Sequence, residues 1–208
     1  MHITTRLAAA ALAALLLAPQ AMAGSSHSHD KDDVHKGYFD DDQIAGRMLS
    51  DWEGAWQSVY PYLADGTLDE VMQHKAEHGD KSAEEYRAYY EAGYETDMDN
   101  ITIDGSTVSF TENGTTVQGE YASDGYEILT YKKGNRGVRF IFRKTEGDEA
   151  APDYIQFSDH RIAPEKVDHY HLYWGENRAA LLEEATNWPT YYPASLSGED
   201  IVHEMLAH

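Results

Sequence analysis

From Asn100 onward, short runs of β-branched and aromatic residues alternate with polar ones: Ile101 to Asp104, Thr107 to Phe110, Thr115 to Tyr121, Glu127 to Tyr131 and Val138 to Phe142. A period of two marks strands with one buried face. Between the runs stand Asp104-Gly105, Asn113-Gly114, Asp124-Gly125 and Gly134-Asn135. Gly and Asn accept the positive φ that tight hairpins require, so the pattern predicts an antiparallel meander. Strands at Tyr154 to Phe157 and His169 to Tyr173 continue it. A meander of this length closes into a barrel or a sandwich to remove its edges. The class is mainly β with several helices, α+β, in one domain.

Before Asn100 the rhythm is helical. Thr67-Leu68-Asp69-Glu70 and Ser82-Ala83-Glu84-Glu85 fit the capping box, in which hydroxyl and carboxylate satisfy each other's backbone N–H groups. Helices are expected over Leu68 to Glu77 and Ala83 to Glu91, with Gly93 as a stop. Leu49 to Leu63 is ambiguous. Trp52, Trp56 and Tyr60 recur at intervals of four, but Gly54 also allows a strand after Trp52. Further helices are expected over Asn177 to Ala185 and after Ser197. The tryptophans and many tyrosines read as core and rim of the barrel.

The amino terminus follows a different logic. Arg6, the apolar run Leu7 to Ala18 and Ala21-Met22-Ala23 have the order of a secretory signal, so residues 1–23 are expected to be removed on export. Residues 24–37 read as a flexible arm carrying His27, His29 and His35, and residues 38–208 as the compact domain. No later segment reaches transmembrane length, so the processed chain is expected to be soluble.

Charge and cysteine content narrow the chemistry. With 37 acidic residues against 16 Lys and Arg, the surface repels nucleic acid and anionic lipid. It draws in cations, although solubility alone would account for the excess. There is no cysteine, which removes disulfides, thiolate zinc sites and cysteine nucleophiles. A metal site would have to use His, Asp, Glu and water.

The main candidate is His160 followed, after eight residues, by His169-Tyr170-His171. Residues two apart on a strand share a face, so His169 and His171 present neighbouring imidazoles. If the preceding strand pairs with theirs, His160 returns beside them and supplies a third ligand with one position left open. The competing reading is plain surface alternation. Asp159 could orient an imidazole or serve the turn, and the turn is preferred. His74 and His78 are four apart in the first capped helix, but no third ligand is apparent and exposed surface histidines are expected there. His203-Glu204 and His208 have the wrong spacing for a metalloprotease helix.

Tyr154 to Gly175, YIQFSDHRIAPEKVDHYHLYWG, resembles the hallmark stretch of the ZinT (YodA) family. The resemblance extends to Leu49–Leu63, Asp124–Phe142 and Asn187–Leu206, nearly the whole chain beyond the leader. It implies a calycin (lipocalin-like) β-barrel, a periplasmic location, binding of Zn(II) and Cd(II), and His160, His169 and His171 as the metal ligands, with water or a carboxylate completing the shell. It further implies delivery to the solute-binding component of a zinc ABC transporter. Some members carry a cysteine pair that this chain lacks. Two other functions fit less well. A three-His zinc enzyme would activate water, but no general base is evident beside the site. A lipocalin-type binder would hold an apolar ligand in the barrel mouth.

Overall fold

The computed structural model describes residues 31–183 and 186–207. The expected leader (1–23), His27, His29 and His208 lie outside the described residues.

Eight strands form a closed antiparallel barrel in which each pairs with its sequence neighbours: β1 (Gly54–Ser58), β2 (Met98–Asp104), β3 (Thr107–Glu112), β4 (Thr115–Thr130), β5 (Arg136–Gly147), β6 (Tyr154–Ser158), β7 (Tyr170–Gly175) and β8 (Thr190–Pro193). Closure comes from β1 pairing with β8, Trp56 opposite Pro193 and Ser58 opposite Tyr191. Among the described residues, closure leaves no strand of the barrel with an open edge to template aggregation. The Asn113-Gly114 turn forms as expected, with both residues at positive φ and Glu112 facing Thr115.

Asp124-Gly125 does not turn the chain. β4 runs through it, with Asp124 and Gly125 opposing Ile141 alone between the pairs Ser123–Phe142 and Tyr126–Phe140. Gly125, at φ 85°, makes a bulge where a hairpin was expected. The long partner β5 keeps offering ladder bonds on both sides of it, so pairing continues.

Leu49 to Leu63 resolves into three pieces. A 3₁₀ turn spans Leu49–Trp52, strand β1 follows, and α2 (Tyr60–Ala64) comes after Val59. Gly54 enters the strand at φ 134°, a value reserved for glycine. The helices α3 (Asp69–His78) and α4 (Ala83–Tyr94) form as expected. Ser82 and Glu85 close their capping box reciprocally. Thr67 does not cap α3: its N–H and hydroxyl both donate to Asp65, and buried Leu68 occupies the cap. Gly93 lies within the last turn of α4, where its missing Cβ admits the Trp188 ring. Of the helix expected over Asn177 to Ala185, whose last two residues lie outside the described ones, the described residues hold a 3₁₀ turn at Ala180–Leu182, while α5 (Gly198–Ala207) is present.

Alternation sorts the side chains into two cores. The barrel interior is filled by Trp52, Phe110, Phe140, Phe142, Phe157, Tyr170 and Tyr191 among others. Burial of one such side chain is worth about 1.5–3 kcal/mol. A second core lies outside the barrel, where Tyr192 of β8 meets Leu63, Val71, Met72, Tyr94, Ile201 and Met205 from the helices. The interior is thus occupied by the protein's own aromatic residues, and the helices create a second seam against the barrel wall.

Of the arm expected over residues 24–37, the part from Lys31 is described. It forms α1 (Lys31–His35) and is seated on the barrel through the Arg136 N–H donating to the Gly37 carbonyl. Gly37 is held at φ 87° where a Cβ would lie 2.4 Å from the Arg136 carbonyl oxygen. Only glycine fits that approach. Among the described residues no helix is long and apolar enough to cross a membrane.

Candidate metal centre

His160, His169 and His171 converge. One ring nitrogen from each lies within 4.8 Å of those of the other two, and the ring centroids are 5.9 to 6.5 Å apart. Three nitrogens on a tetrahedral zinc lie roughly 3.3 Å apart, given bonds of about 2.0–2.1 Å, so modest ring rotations would close the set. Strand pairing produces the convergence: Ser158 of β6 faces His171 of β7, which brings the residues just beyond β6 next to the H-x-H. His169 and His171 alternate with Tyr170 and Leu172, whose side chains fill the barrel. The imidazoles therefore project from the outer wall. They open into a cleft of about 380 Å³ between that wall and the helices, whose far side includes Tyr90, Tyr94 and Met205.

His160 is one of two described non-glycine residues at positive φ, 63°. Left-handed backbone costs a side-chain-bearing residue of order 1 kcal/mol. The neighbouring carboxylate holds the loop there. Asp159 is buried and accepts from Arg47 Nη1 at 2.7 and 2.8 Å, from Trp52 Nε1 at 2.7 Å and from the Arg161 N–H at 3.0 Å. The turn role expected of Asp159 is present in the bond to Arg161, but the anchor into the core was not foreseen. Burial pushes the Asp159 carboxyl up, against the opposing pull of Arg47. The Arg47 guanidinium in turn lies over two aromatic rings, 4.0 Å from the Trp52 centroid and 5.2 Å from that of Phe140.

His171 has its tautomer set by a residue that sequence reasoning missed. Its Nδ1 is 2.8 Å from Thr190 Oγ1, and that hydroxyl donates its single proton to the Trp188 carbonyl at 2.9 Å. Thr190 must then accept from His171 Nδ1–H, which leaves Nε2 as a bare lone pair for a metal. Part of the His171 surface opens to the cleft, yet the ring lies deep in the fold. Burial, with His169, His160 and Arg139 nearby, lowers its pKa well below 6.5 and keeps it neutral. The Tyr192 ring stacks on His169 at 5.2 Å, and His35 of α1 stacks on His160 at 4.6 Å. No local signal in the sequence marks Thr190, Tyr192 or Arg47 as companions of the site, because each arrives through β8 or the segment before β1.

The family described as ZinT (YodA) periplasmic lipocalin-like zinc-recruitment matches residues 30–208. The chain belongs to the ZinT family. It is 60% identical over 176 residues to a probable metal-binding protein, YrpE, of Bacillus subtilis (strain 168), covering 84% of this chain and 70% of that protein. It is 49% identical over 183 residues to the zinc-binding lipoprotein AdcA of Streptococcus pneumoniae, covering 87% of this chain and 36% of AdcA. Among solved structures, the Zn(II)-bound ZinT-like domain of Streptococcus pneumoniae AdcA superposes with a TM-score of 0.80 at 50% identity, over 83% of this chain and 97% of that domain. The expected lipocalin-like barrel is thereby borne out, and zinc is the metal of the family. This ZinT-family chain spans about a third of the AdcA proteins it matches.

Proposed function

We propose that this ZinT-family protein captures Zn(II) on His160, His169 and His171 and supports zinc uptake. The convergence of the three imidazoles carries the reading, with ligand atoms within 4.8 Å of one another. A neutral His171 whose Nε2 lone pair is left bare by Thr190 is what a zinc ligand requires. Water or a carboxylate completes the shell, and Cd(II) competes for the same ligands.

The protein works after export, its leader cleaved near Ala23, in the periplasm that the family description names. It hands zinc to the solute-binding component of a zinc ABC transporter. In support, the ZinT-like region is only part of the zinc-binding AdcA proteins, where it shares a chain with a larger remainder. Binding rather than catalysis is the role. Burial raises the pKa of Tyr90, Tyr94 and Tyr192 around the cleft, so these phenols stay protonated and cannot act as bases near neutrality. A lipocalin-type ligand in the barrel mouth would have to displace aromatic residues already packed there.

Calorimetric titration of zinc into chelator-treated protein, beside the variant H160A/H169A/H171A, tests the reading. Loss of the tightest equivalent in the variant is the expected result. Unchanged tight binding would overturn it, and zinc-dependent turnover of an ester or of CO₂ would replace binding with catalysis.

A further inference from the structure

Two histidines and a glutamate outside the cleft form a second constellation. His74, Glu77 and His78 lie near the C-terminal end of α3, all exposed, with one ligand atom from each within 4.8 Å of the others. Helical geometry accounts for this, since positions three and four apart lie on one face. The i, i+4 histidines need a third donor to form a site, and Glu77, three residues after His74, provides it.

A second observation concerns the state of the ring. His78 Nδ1 is 2.8 Å from the His74 carbonyl oxygen. A carbonyl only accepts, so Nδ1 carries the proton and the neutral ring presents Nε2 as a bare lone pair. This is the tautomer that Thr190 imposes on His171, achieved here by backbone. The position adds to it, because the carbonyl end of a helix is its negative pole and favours a cation within the last turn. The turn is also held in place. A Cβ on Gly79 would lie 1.9 Å from the Tyr86 hydroxyl, so α4 packs directly against the end of α3.

We propose that His74, Glu77 and His78 form a second, solvent-facing site for a divalent transition-metal ion of the zinc class. Two imidazoles and one carboxylate suit Zn²⁺, Ni²⁺ or Cu²⁺, and water fills the remaining positions. With fewer imidazoles and all three side chains exposed, the site is weaker and exchanges faster than the three-His centre, two of whose histidines are partly buried. It stands independently of the three-His reading, because neither site shares a residue with the other.

Zinc titrated into the purified protein, followed by imidazole ¹⁵N resonances and by calorimetry, reads the two sites separately. After the first equivalent, further zinc is expected to move the His74 and His78 signals, with the His78 Nε2 resonance shifting as its lone pair is engaged. The variant H74A/H78A, at exposed positions where alanine favours the helix, is expected to lose one weaker equivalent and keep the tight one. E77Q is expected to weaken that equivalent while leaving the tight one unchanged. The proposal is overturned if the His74 and His78 signals stay still through the titration, or if H74A/H78A binds as many equivalents as the parent. A change in the first equivalent alone would bear on the three-His centre and count against this one.

Discussion

Arg47 and Asp159 are 112 residues apart in the chain and meet at 2.7 Å, with neither side chain exposed to solvent. The pair ties the segment leading into β1 to the turn that sets His160 in a left-handed backbone conformation. A buried ion pair contributes little net stability against an apolar substitute, but breaking one partner leaves a charge without compensation. Its role here is positional, because it fixes where β6 ends and where the first histidine of the cluster points.

Arg47→Met should therefore cost about 3–5 kcal/mol of folding stability, since Asp159 would remain buried without its cation. Urea denaturation measures this. The double variant R47M/D159L should recover much of the loss while still binding zinc more weakly, because the anchor of the His160 turn is gone. Equal zinc affinity in the double variant and the parent would show that the pair does not position His160.

Thr190→Val keeps the shape and removes the acceptor for His171 Nδ1–H. Loss of such an outer partner typically reduces metal affinity 10- to 100-fold. A drop of about that size is expected in zinc titration, with Thr190→Ser close to the parent. A Val variant that bound as tightly as the parent would mean that the hydroxyl does not select the tautomer.

The depressed pKa of His171 has a consequence for stability without metal. Above about pH 6.5 the ring is neutral in both folded and unfolded chains. As pH falls below that value, the unfolded ring takes a proton that folded His171 refuses, so this contribution to stability declines until the folded pKa is reached. Unfolding midpoints in chelator should fall between about pH 7 and pH 5, and the slope should be shallower in His171→Asn. With zinc present, protons compete for the same lone pairs, and affinity should fall steeply below about pH 6.

Gly93→Ala would place a methyl 2.3 Å from the Trp188 ring. Trp188 cannot yield without disturbing its own N–H bond to the Gly93 carbonyl at 2.6 Å, next to the segment that carries Thr190. Overpacking of this kind costs about 1–3 kcal/mol. A lower thermal midpoint together with weaker zinc binding is expected, and an unchanged midpoint would mean that the contact is loose.

Most strands were legible from their period of two, because a half-buried strand must alternate. The Ser82–Glu85 cap was legible because its two bonds are made within four residues. Thr67 showed the same local motif and lost its hydroxyl to Asp65, since the route of the preceding turn decides which acceptor is nearest. Asp124-Gly125 read as a hairpin and became a bulge for a related reason. A Gly with positive φ serves either, and the length of the partner strand chose between them. β8, from Thr190 to Pro193, carried too short a run to declare itself.

By itself the sequence determined the class of fold, the exclusion of sulfur ligands and the three histidines that come together, because each follows from composition or from spacing within one or two neighbouring strands. The tertiary structure decided which wall of the barrel the histidines occupy, what covers them and which partners set their protonation. Those contacts join β7 to β8 and to the helices, and the turn after β6 to Arg47. Such long-range partners are selected by barrel closure and by packing of the outer core, and no local pattern encodes them.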